Sequence, residues 1–173
     1  MKITKWHFAI IFAILVFLMS GCSETEEEVL KEAQDIASAK FEEESLESNQ
    51  DVEHFSLFLP EGFTIVEETM NNLLLEKEDK TYILFYNPLE EKTSRLNYEA
   101  ANAMGNFTLL ESFETDDRFG YISVTTSGDE EASYELQIGV GGAKITTMTT
   151  LDDLVEDTET LMQMANSIAY TQQ

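Results

Sequence analysis

After residue 52 the apolar residues occur in short runs with the periodicity of strands. In one run, Tyr134, Leu136 and Ile138 alternate with Glu135 and Gln137. Short segments rich in glycine, proline or charge separate the runs, and such short connections favour antiparallel pairing. The pattern predicts strands over residues 55–59, 63–67, 73–75, 82–86, 107–114, 119–126, 133–140 and 143–149.

Two segments have helical spacing instead. A helix is predicted over residues 94–105, with Ser94 as its N-terminal cap and Gly105 at its C-terminal end. Its apolar face is formed by Leu96, Ala100, Ala103 and Met104. The last helix follows Thr150, and its apolar face is formed by Leu151, Leu154, Val155, Leu161, Met162, Ala165 and Ile168. Together the elements predict one α+β domain over residues 52–173, an antiparallel sheet of about six to eight strands covered by helices.

The first 21 residues have the features of an export signal. Two lysines and no acid precede an apolar run over residues 6–19, which is shorter than the about 20 residues of a spanning helix. The run ends at Ser20-Gly21-Cys22, and residues 18–22 resemble the lipobox of bacterial lipoprotein precursors. The resemblance implies cleavage between Gly21 and Cys22, a diacylglycerol on the Cys22 sulfur, and anchoring at the extracytoplasmic face of a cell membrane. A plain signal anchor with an incidental thiol is the alternative.

Residues 22–51 differ in composition from the rest of the chain. After Cys22 this segment has eleven acids, two lysines and no proline or glycine. The residues at helical spacing are Val29, Ala33, Ile36, Ala37 and Lys40, with Leu30 and Phe41 beside them. The apolar stripe is thin, so two structures are compatible with it: an acidic, partly helical tether, or a helix packed on the domain. The composition favours a solvated spacer between the lipid and the domain, and a coiled-coil seam that binds a partner is the alternative function.

A second resemblance covers roughly residues 52–170. A Phe-rich strand before Pro60-Glu61-Gly62-Phe63, a hairpin, a middle helix, further strands and a last helix ending in Ala165-Asn166-Ser167-Ile168 resemble the PsbP/Mog1-like fold. The alternative is a resemblance to small exported domains of Gram-positive bacteria, which have a similar start, Leu-Pro-Glu-Gly-Phe. The PsbP/Mog1-like group consists mostly of binding or assembly modules, which implies an α/β/α sandwich with a non-enzymatic role.

The charge of the chain excludes one class of partner. There are 34 acidic and 10 basic residues, for a formal net charge of −24, and loss of residues 1–21 with their two lysines would make it −26. So acidic a protein is repelled by nucleic acid phosphates. We therefore expect no nucleic acid partner, and contact with the membrane only through the lipid on Cys22.

Residues suited to catalysis or metal binding are few. Outside the signal, His54 is the only histidine, and no Gly-x-Ser-x-Gly motif accompanies it, so a hydrolase triad and a zinc site are not expected. Gly141-Gly142 lies between two strands and is interpreted as a hairpin turn, not a phosphate loop. The only metal candidates are carboxylates for calcium, at Asp116, Asp117, Asp129 and Glu130. No cofactor is expected.

Three classes of function remain compatible with the sequence. The first is a membrane-anchored, non-enzymatic binding or assembly module for an envelope protein. The second is a lipoprotein that binds a small molecule or a cation, and the third is an envelope hydrolase. The tyrosines of the strands bear on this choice, because they would either line a binding face or belong to the core; they are Tyr82, Tyr86, Tyr121 and Tyr134.

Overall fold

The computed structural model describes residues 24–128 and 133–170. These residues form three helices, α1 Glu26–Glu42, α2 Leu96–Met104 and α3 Leu154–Ser167. They also form ten strands: β1 Gln50–Asp51, β2 Phe55–Leu57, β3 Thr64–Glu68, β4 Asn72–Lys77, β5 Lys80–Tyr86, β6 Leu109–Glu114, β7 Phe119–Thr126, β8 Ser133–Val140, β9 Ala143–Thr150 and β10 Ala169–Tyr170. None of these helices combines the length and apolar character needed to span a bilayer.

Seven of the strands form one antiparallel sheet in the order β3-β4-β5-β9-β8-β7-β6. The α+β class and the antiparallel sheet with helices against it are thus confirmed. A second, three-stranded sheet has β2 in the centre, between β1 and β10. The predicted strand over residues 55–59 is shorter than expected, and its partner β10 comes from the end of the chain.

The main core lies between one face of the large sheet and the helices α1 and α3, which pack against each other. The sheet contributes the residues that point to this side of each strand, as the two-residue alternation requires. Leu84, Leu136 and Ile145 are fully buried there, and Leu161 and Met162 of α3 meet them from the helix layer. The apolar face predicted for α3 is therefore the buried one.

Helix α1 belongs to this core, which decides between the two alternatives for residues 22–51. Its Val29, Ala33, Ala37 and Phe41 are buried. The Phe41 ring lies so close to Gly120 in β7 that a Cβ there would stand 2.6 Å from the ring. The solvated-spacer interpretation is wrong for residues 26–42, because four apolar side chains, spaced at about one turn, suffice to bury one narrow face.

Both ends of α1 are held by polar contacts. At the N-terminus, Thr25 and Glu28 form a reciprocal capping box. At the C-terminus, the free carbonyls accept hydrogen bonds from distant side chains: Arg118 Nη2 donates to the Phe41 carbonyl at 2.6 Å, and Asn166 Nδ2 to the Lys40 carbonyl at 3.2 Å. Since the last carbonyls of a helix lack partners within it, these bonds tie α1 to β7 and α3.

Helix α2 lies on the opposite side of the sheet and exposes the face that was predicted to be buried. Met104 is 70% exposed and Leu96 53%. The buried contacts are made instead by Ala101 and by Tyr98, whose ring packs edge-on at 5.5 Å from Phe119. The prediction of this face is wrong because an aromatic side chain, with more apolar area to bury than an alanine, decides which face of a short helix turns inward.

The ends of α2 follow the prediction in part. Gly105 has a left-handed φ of 71° at the C-terminus, as expected of a glycine there. The N-terminal cap position is held by Arg95 and not by Ser94. Ser94 acts one residue earlier: its hydroxyl donates to Glu90 at 2.5 Å and accepts from the Leu96 N–H at 3.3 Å.

The Gly141-Gly142 segment is a tight turn between β8 and β9, as predicted. Gly141 has a φ of 55°, and a Cβ at this position would lie 2.5 Å from the Lys92 Cα. Glycine is therefore required twice over, for the backbone conformation and for the close passage of residues 91–92. The turn fixes the segment that leads from β5 into α2.

The turn between β4 and β5 contains a residue under strain, and this leads to a testable prediction. Glu78 has a φ of 55°, the only positive φ of a non-glycine residue in the described ranges, and it is exposed. The left-handed conformation costs an L-residue about 1–2 kcal/mol, and a glycine avoids this cost. The greater conformational entropy of glycine in the unfolded chain reduces the gain in stability by about 0.4–1 kcal/mol. We expect Glu78→Gly to raise the free energy of unfolding by up to about 1 kcal/mol in urea denaturation.

Asp79 is the matched control for this substitution, because it lies in the same turn without a positive φ. Asp79→Gly should lower the free energy of unfolding by about 0.5 kcal/mol through unfolded entropy alone. Equal losses of stability in the two variants would show that Glu78 carries no strain.

Candidate functional site

The predicted lipidation site lies outside the described residues. Gly21 and Cys22 both fall before Glu24, where the description of the chain begins. Cleavage between them and lipidation of Cys22 therefore stay predictions. The structure bears on them in one respect: four residues after Cys22, the chain enters α1, which is part of the folded domain.

The calcium candidates are divided between described and undescribed parts of the chain. Asp116 and Asp117 lie in the turn between β6 and β7, where the Thr115 hydroxyl donates to Asp117 Oδ1 at 2.6 Å and lowers the pKa of that carboxyl. Asp129 and Glu130 lie outside the described residues. The eight residues of β7 stand between the two pairs and span about 25 Å, so nothing in the described geometry favours a shared ion.

No other metal site is visible in residues 24–128 and 133–170, where no three histidine, cysteine, aspartate or glutamate side chains converge. His54 lies in the connection between β1 and β2, with Nε2 3.9 Å from the Glu53 carboxylate. This is a surface ion-pair geometry of small energetic value.

The four strand tyrosines belong to packed regions. Tyr82, Tyr86, Tyr121 and Tyr134 are at most 6% exposed. The core interpretation of these residues is confirmed, and a tyrosine-lined binding face is not present. Tyr121 differs from the rest because it lies under α2, and burial raises the pKa of its hydroxyl.

The part of the large sheet that α2 leaves uncovered is the most distinctive surface of the domain. Leu74, Ile83, Thr146 and Gln137 stand side by side across β4, β5, β9 and β8. Met148 follows two residues after Thr146 on the same face and pairs with Glu135 of β8. We call this surface the open face; it consists of Leu74, Ile83, Glu135, Gln137, Thr146 and Met148.

Two apolar side chains in the middle of the open face remain in contact with water. Ile83 is 47% exposed and Met148 46%. The opposite side of the same strands is covered by helices, so these two residues interrupt the apolar-in, polar-out alternation expected of a sheet that faces solvent. Ile83 and Met148 are diagonal neighbours on β5 and β9, and neighbouring exposed apolar side chains on a sheet face form a candidate contact surface for a partner.

A groove adjoins the open face, where α2 meets β5 and β9. Phe85 and Lys144, which pair across the two strands, form its floor together with Leu96 and Ala100 of α2. Its volume is about 270 Å³. Lys144 Nζ lies 6.0 Å from the centre of the Phe85 ring and has no carboxylate within ion-pair distance among the described residues.

A buried carboxylate that sequence reasoning missed lies on the other side of the sheet. Asp157 of α3 is 7% exposed and accepts hydrogen bonds from Lys80 Nζ at 2.8 Å and the Thr149 hydroxyl at 2.5 Å through Oδ2, and from the Tyr82 hydroxyl at 3.3 Å through Oδ1. Burial, reinforced by this carboxylate, raises the pKa of Tyr82.

Since both Asp157 oxygens are used by these donors, the carboxylate serves to join α3 to β5 and β9, and it has no free oxygen directed at a cleft. In the sequence, Asp157 stands in the first turn of an amphipathic helix. An aspartate is common there because it interacts favourably with the helix dipole, so this position does not indicate a buried cluster. Its partners are 8 to 77 residues away, so only the fold reveals the cluster.

No protein-family model matches the chain, and no curated protein matches it significantly. The PsbP/Mog1-like resemblance, which rests on short and common motifs, stays a prediction. The function is therefore inferred from the surfaces of the domain.

Proposed function

We propose that this protein is a lipid-anchored binding module of the bacterial envelope, held on the extracytoplasmic side of the cell membrane through Cys22, and that it docks a partner protein on the open face without catalysing a reaction. The observation that carries the proposal is the half-exposed pair Ile83 and Met148 in the centre of an otherwise regular sheet face. The export signal and lipobox resemblance support the anchoring.

The packing of α1 brings the proposed anchor close to the domain. Glu26 comes four residues after Cys22, and this length of chain spans at most about 14 Å. Glu26 Oε1 accepts a hydrogen bond of 3.0 Å from the Tyr134 hydroxyl, at the start of β8. The end of the sheet where β8 begins would therefore lie near the membrane, with no spacer between them.

The direction of α1 then sets where the open face points. From Glu26, beside the start of β8, the helix runs to Phe41, which is bonded to Arg118 just before β7. Because the end of β7 pairs with the start of β8, α1 runs alongside the strands, and the open face forms a flank of the anchored domain. A partner in or near the same membrane could reach this flank sideways.

The charges of the open face indicate the chemistry of the partner. Glu135 lies beside Met148, and Glu76 is the last residue but one of β4, within a chain of net charge −24. We propose a partner surface with an apolar centre and basic residues around it, since like charges would be repelled before contact.

Site-specific photocross-linking in native membranes tests this function. A photoreactive residue replaces Met148 in the full-length, lipidated protein; the matched control replaces Met70, which is 77% exposed in the connection between β3 and β4. We expect one reproducible protein adduct from position 148 and none from position 70. Ile83→Glu should abolish that adduct while the circular dichroism spectrum keeps its folded form, because Ile83 is 47% exposed and lies on the sheet face opposite the main core.

The anchoring is tested separately with Cys22→Ala. This variant should lose both the membrane fraction and the adduct, provided that the released domain remains folded. Identical adducts from positions 148 and 70, or an adduct that survives Ile83→Glu, would contradict docking on the open face. The groove beside this face supports a second candidate function, the binding of a small molecule.

A further inference from the structure

The groove between α2 and the sheet combines an apolar wall with two opposite charges. Phe85, Leu96 and Ala100 provide the apolar part. Lys144 contributes an ammonium, and Glu90 contributes a carboxylate, one oxygen of which accepts the Ser94 hydroxyl at 2.5 Å. The two charges line the same groove without forming an ion pair with each other.

The rest of the described chain makes this arrangement unusual. Lys31, Lys77 and Lys80 each lie within 4.0 Å of a carboxylate. With 34 acidic residues in the chain, a lysine without such a partner is uncommon; among the described lysines, only the half-buried Lys92 and Lys144 have none. The Lys144 Nζ lies 6.0 Å from the centre of the Phe85 ring, and both side chains line the groove.

The size of the groove limits what it can hold. Its volume is about 270 Å³. That is below the range of drug-sized ligand pockets, which starts at about 300 Å³. A free amino acid with a branched apolar side chain is small enough for this groove, whereas a larger cofactor is not.

We propose that the groove binds a free apolar α-amino acid, with the carboxylate of the ligand on Lys144, its ammonium on Glu90 and its side chain against Leu96 and Ala100. Charge complementarity supports this ligand class over the alternatives. A ligand with a carboxylate alone would be repelled by Glu90, and a ligand with an ammonium alone would be repelled by Lys144. This site is distinct from the protein-docking surface and stands or falls separately from it.

The test is a titration of the full-length protein in detergent micelles, followed by NMR of alanine and leucine methyl groups. Ala100 and Leu96 lie in the groove and serve as reporters. We expect L-leucine to shift both signals with a dissociation constant of about 1 mM, as suits a small ligand in a half-open groove. N-acetylleucine, which lacks the ammonium, and leucinamide, which lacks the carboxylate, should each bind about tenfold more weakly.

Two conservative substitutions test which side chain binds each charged group of the ligand. Lys144→Met keeps the length of the side chain and should remove the preference for leucine over leucinamide. Glu90→Gln keeps an acceptor for Ser94 and should remove the preference for leucine over N-acetylleucine. Lys31→Met is the control, because it changes the net charge by the same amount as Lys144→Met but lies on the exposed side of α1. It should leave binding unchanged.

Two results would overturn the proposal. The first is the absence of any shift of the Ala100 and Leu96 methyl signals with leucine at about 10 mM, ten times the expected constant. The second is binding of N-acetylleucine as tightly as leucine, which would indicate a peptide C-terminus as the ligand. Because Ile83 and Met148 take no part in the groove, photocross-linking from the open face gives an independent result.

Discussion

Phe41→Ala should lower the free energy of unfolding by about 3–5 kcal/mol, the usual loss for a buried aromatic residue. Phe41 is 1% exposed, its ring lies 5.8 Å from that of Phe113, and Arg118 stacks over it at 5.2 Å. The absence of a side chain at Gly120 shapes the space that the ring fills. Its removal leaves a cavity that the sheet backbone cannot close, so urea denaturation of the variant should show a much lower midpoint.

The control for this substitution is Phe107→Ala. Phe107 is 40% exposed and lies between α2 and β6, so its truncation should change the free energy of unfolding by less than about 1 kcal/mol. A loss below about 1 kcal/mol for Phe41→Ala as well would mean that α1 contributes little to the folded domain. In that event residues 26–42 would again have to be considered a spacer.

Asp157→Asn should produce the second largest effect, a loss of about 2–3 kcal/mol in the free energy of unfolding. The substitution keeps the size of the side chain but removes the charge that Lys80, Tyr82 and Thr149 share. Loss of one partner of a fully buried ion pair costs about 3–5 kcal/mol. We expect less here because Lys80 is partly exposed and keeps a second carboxylate, Asp153, at 3.0 Å.

Asp153→Asn is the matched control, since it removes the other carboxylate of Lys80 at a more exposed position. Its Lys80 bond should be worth less than about 1 kcal/mol and should weaken in high salt, as surface ion pairs do. The loss caused by Asp157→Asn should change little with salt. Equal effects of the two substitutions, or an equal salt dependence, would show that the Asp157 cluster behaves as a surface ion pair.

The regular part of the fold was accessible from the sequence. Alternation of Leu136 and Ile138 with polar neighbours is a local property, and it correctly indicated which side of β8 faces the core. The amphipathic spacing of α3 and the Gly141-Gly142 turn are local signals of the same kind. They predicted an α+β domain with an antiparallel sheet, and the structure has one.

Elements with a narrow or divided apolar face were decided by packing. In α2, the sequence offers Leu96 and Met104 on one side and Tyr98 and Ala101 on another, and only the presence of Phe119 beneath the helix selects the second. In α1, the small residues Ala33 and Ala37 look unremarkable in an acidic segment, but they allow close approach to α3. A composition that is acidic overall says little about one buried face.

By itself, the sequence determined the strand pattern, the charge that disfavours nucleic acid, and the signal and lipobox resemblance from which anchoring at Cys22 is predicted. Only the tertiary structure placed α1 in the core, left Ile83 and Met148 uncovered, and brought Lys144 and Glu90 to one groove. The physical reason is the range of the interactions. Periodicity and turns depend on neighbours within a few residues, whereas a binding surface is formed by strands and helices whose order in the sheet, β5 beside β9, is set by pairing across some sixty residues of chain.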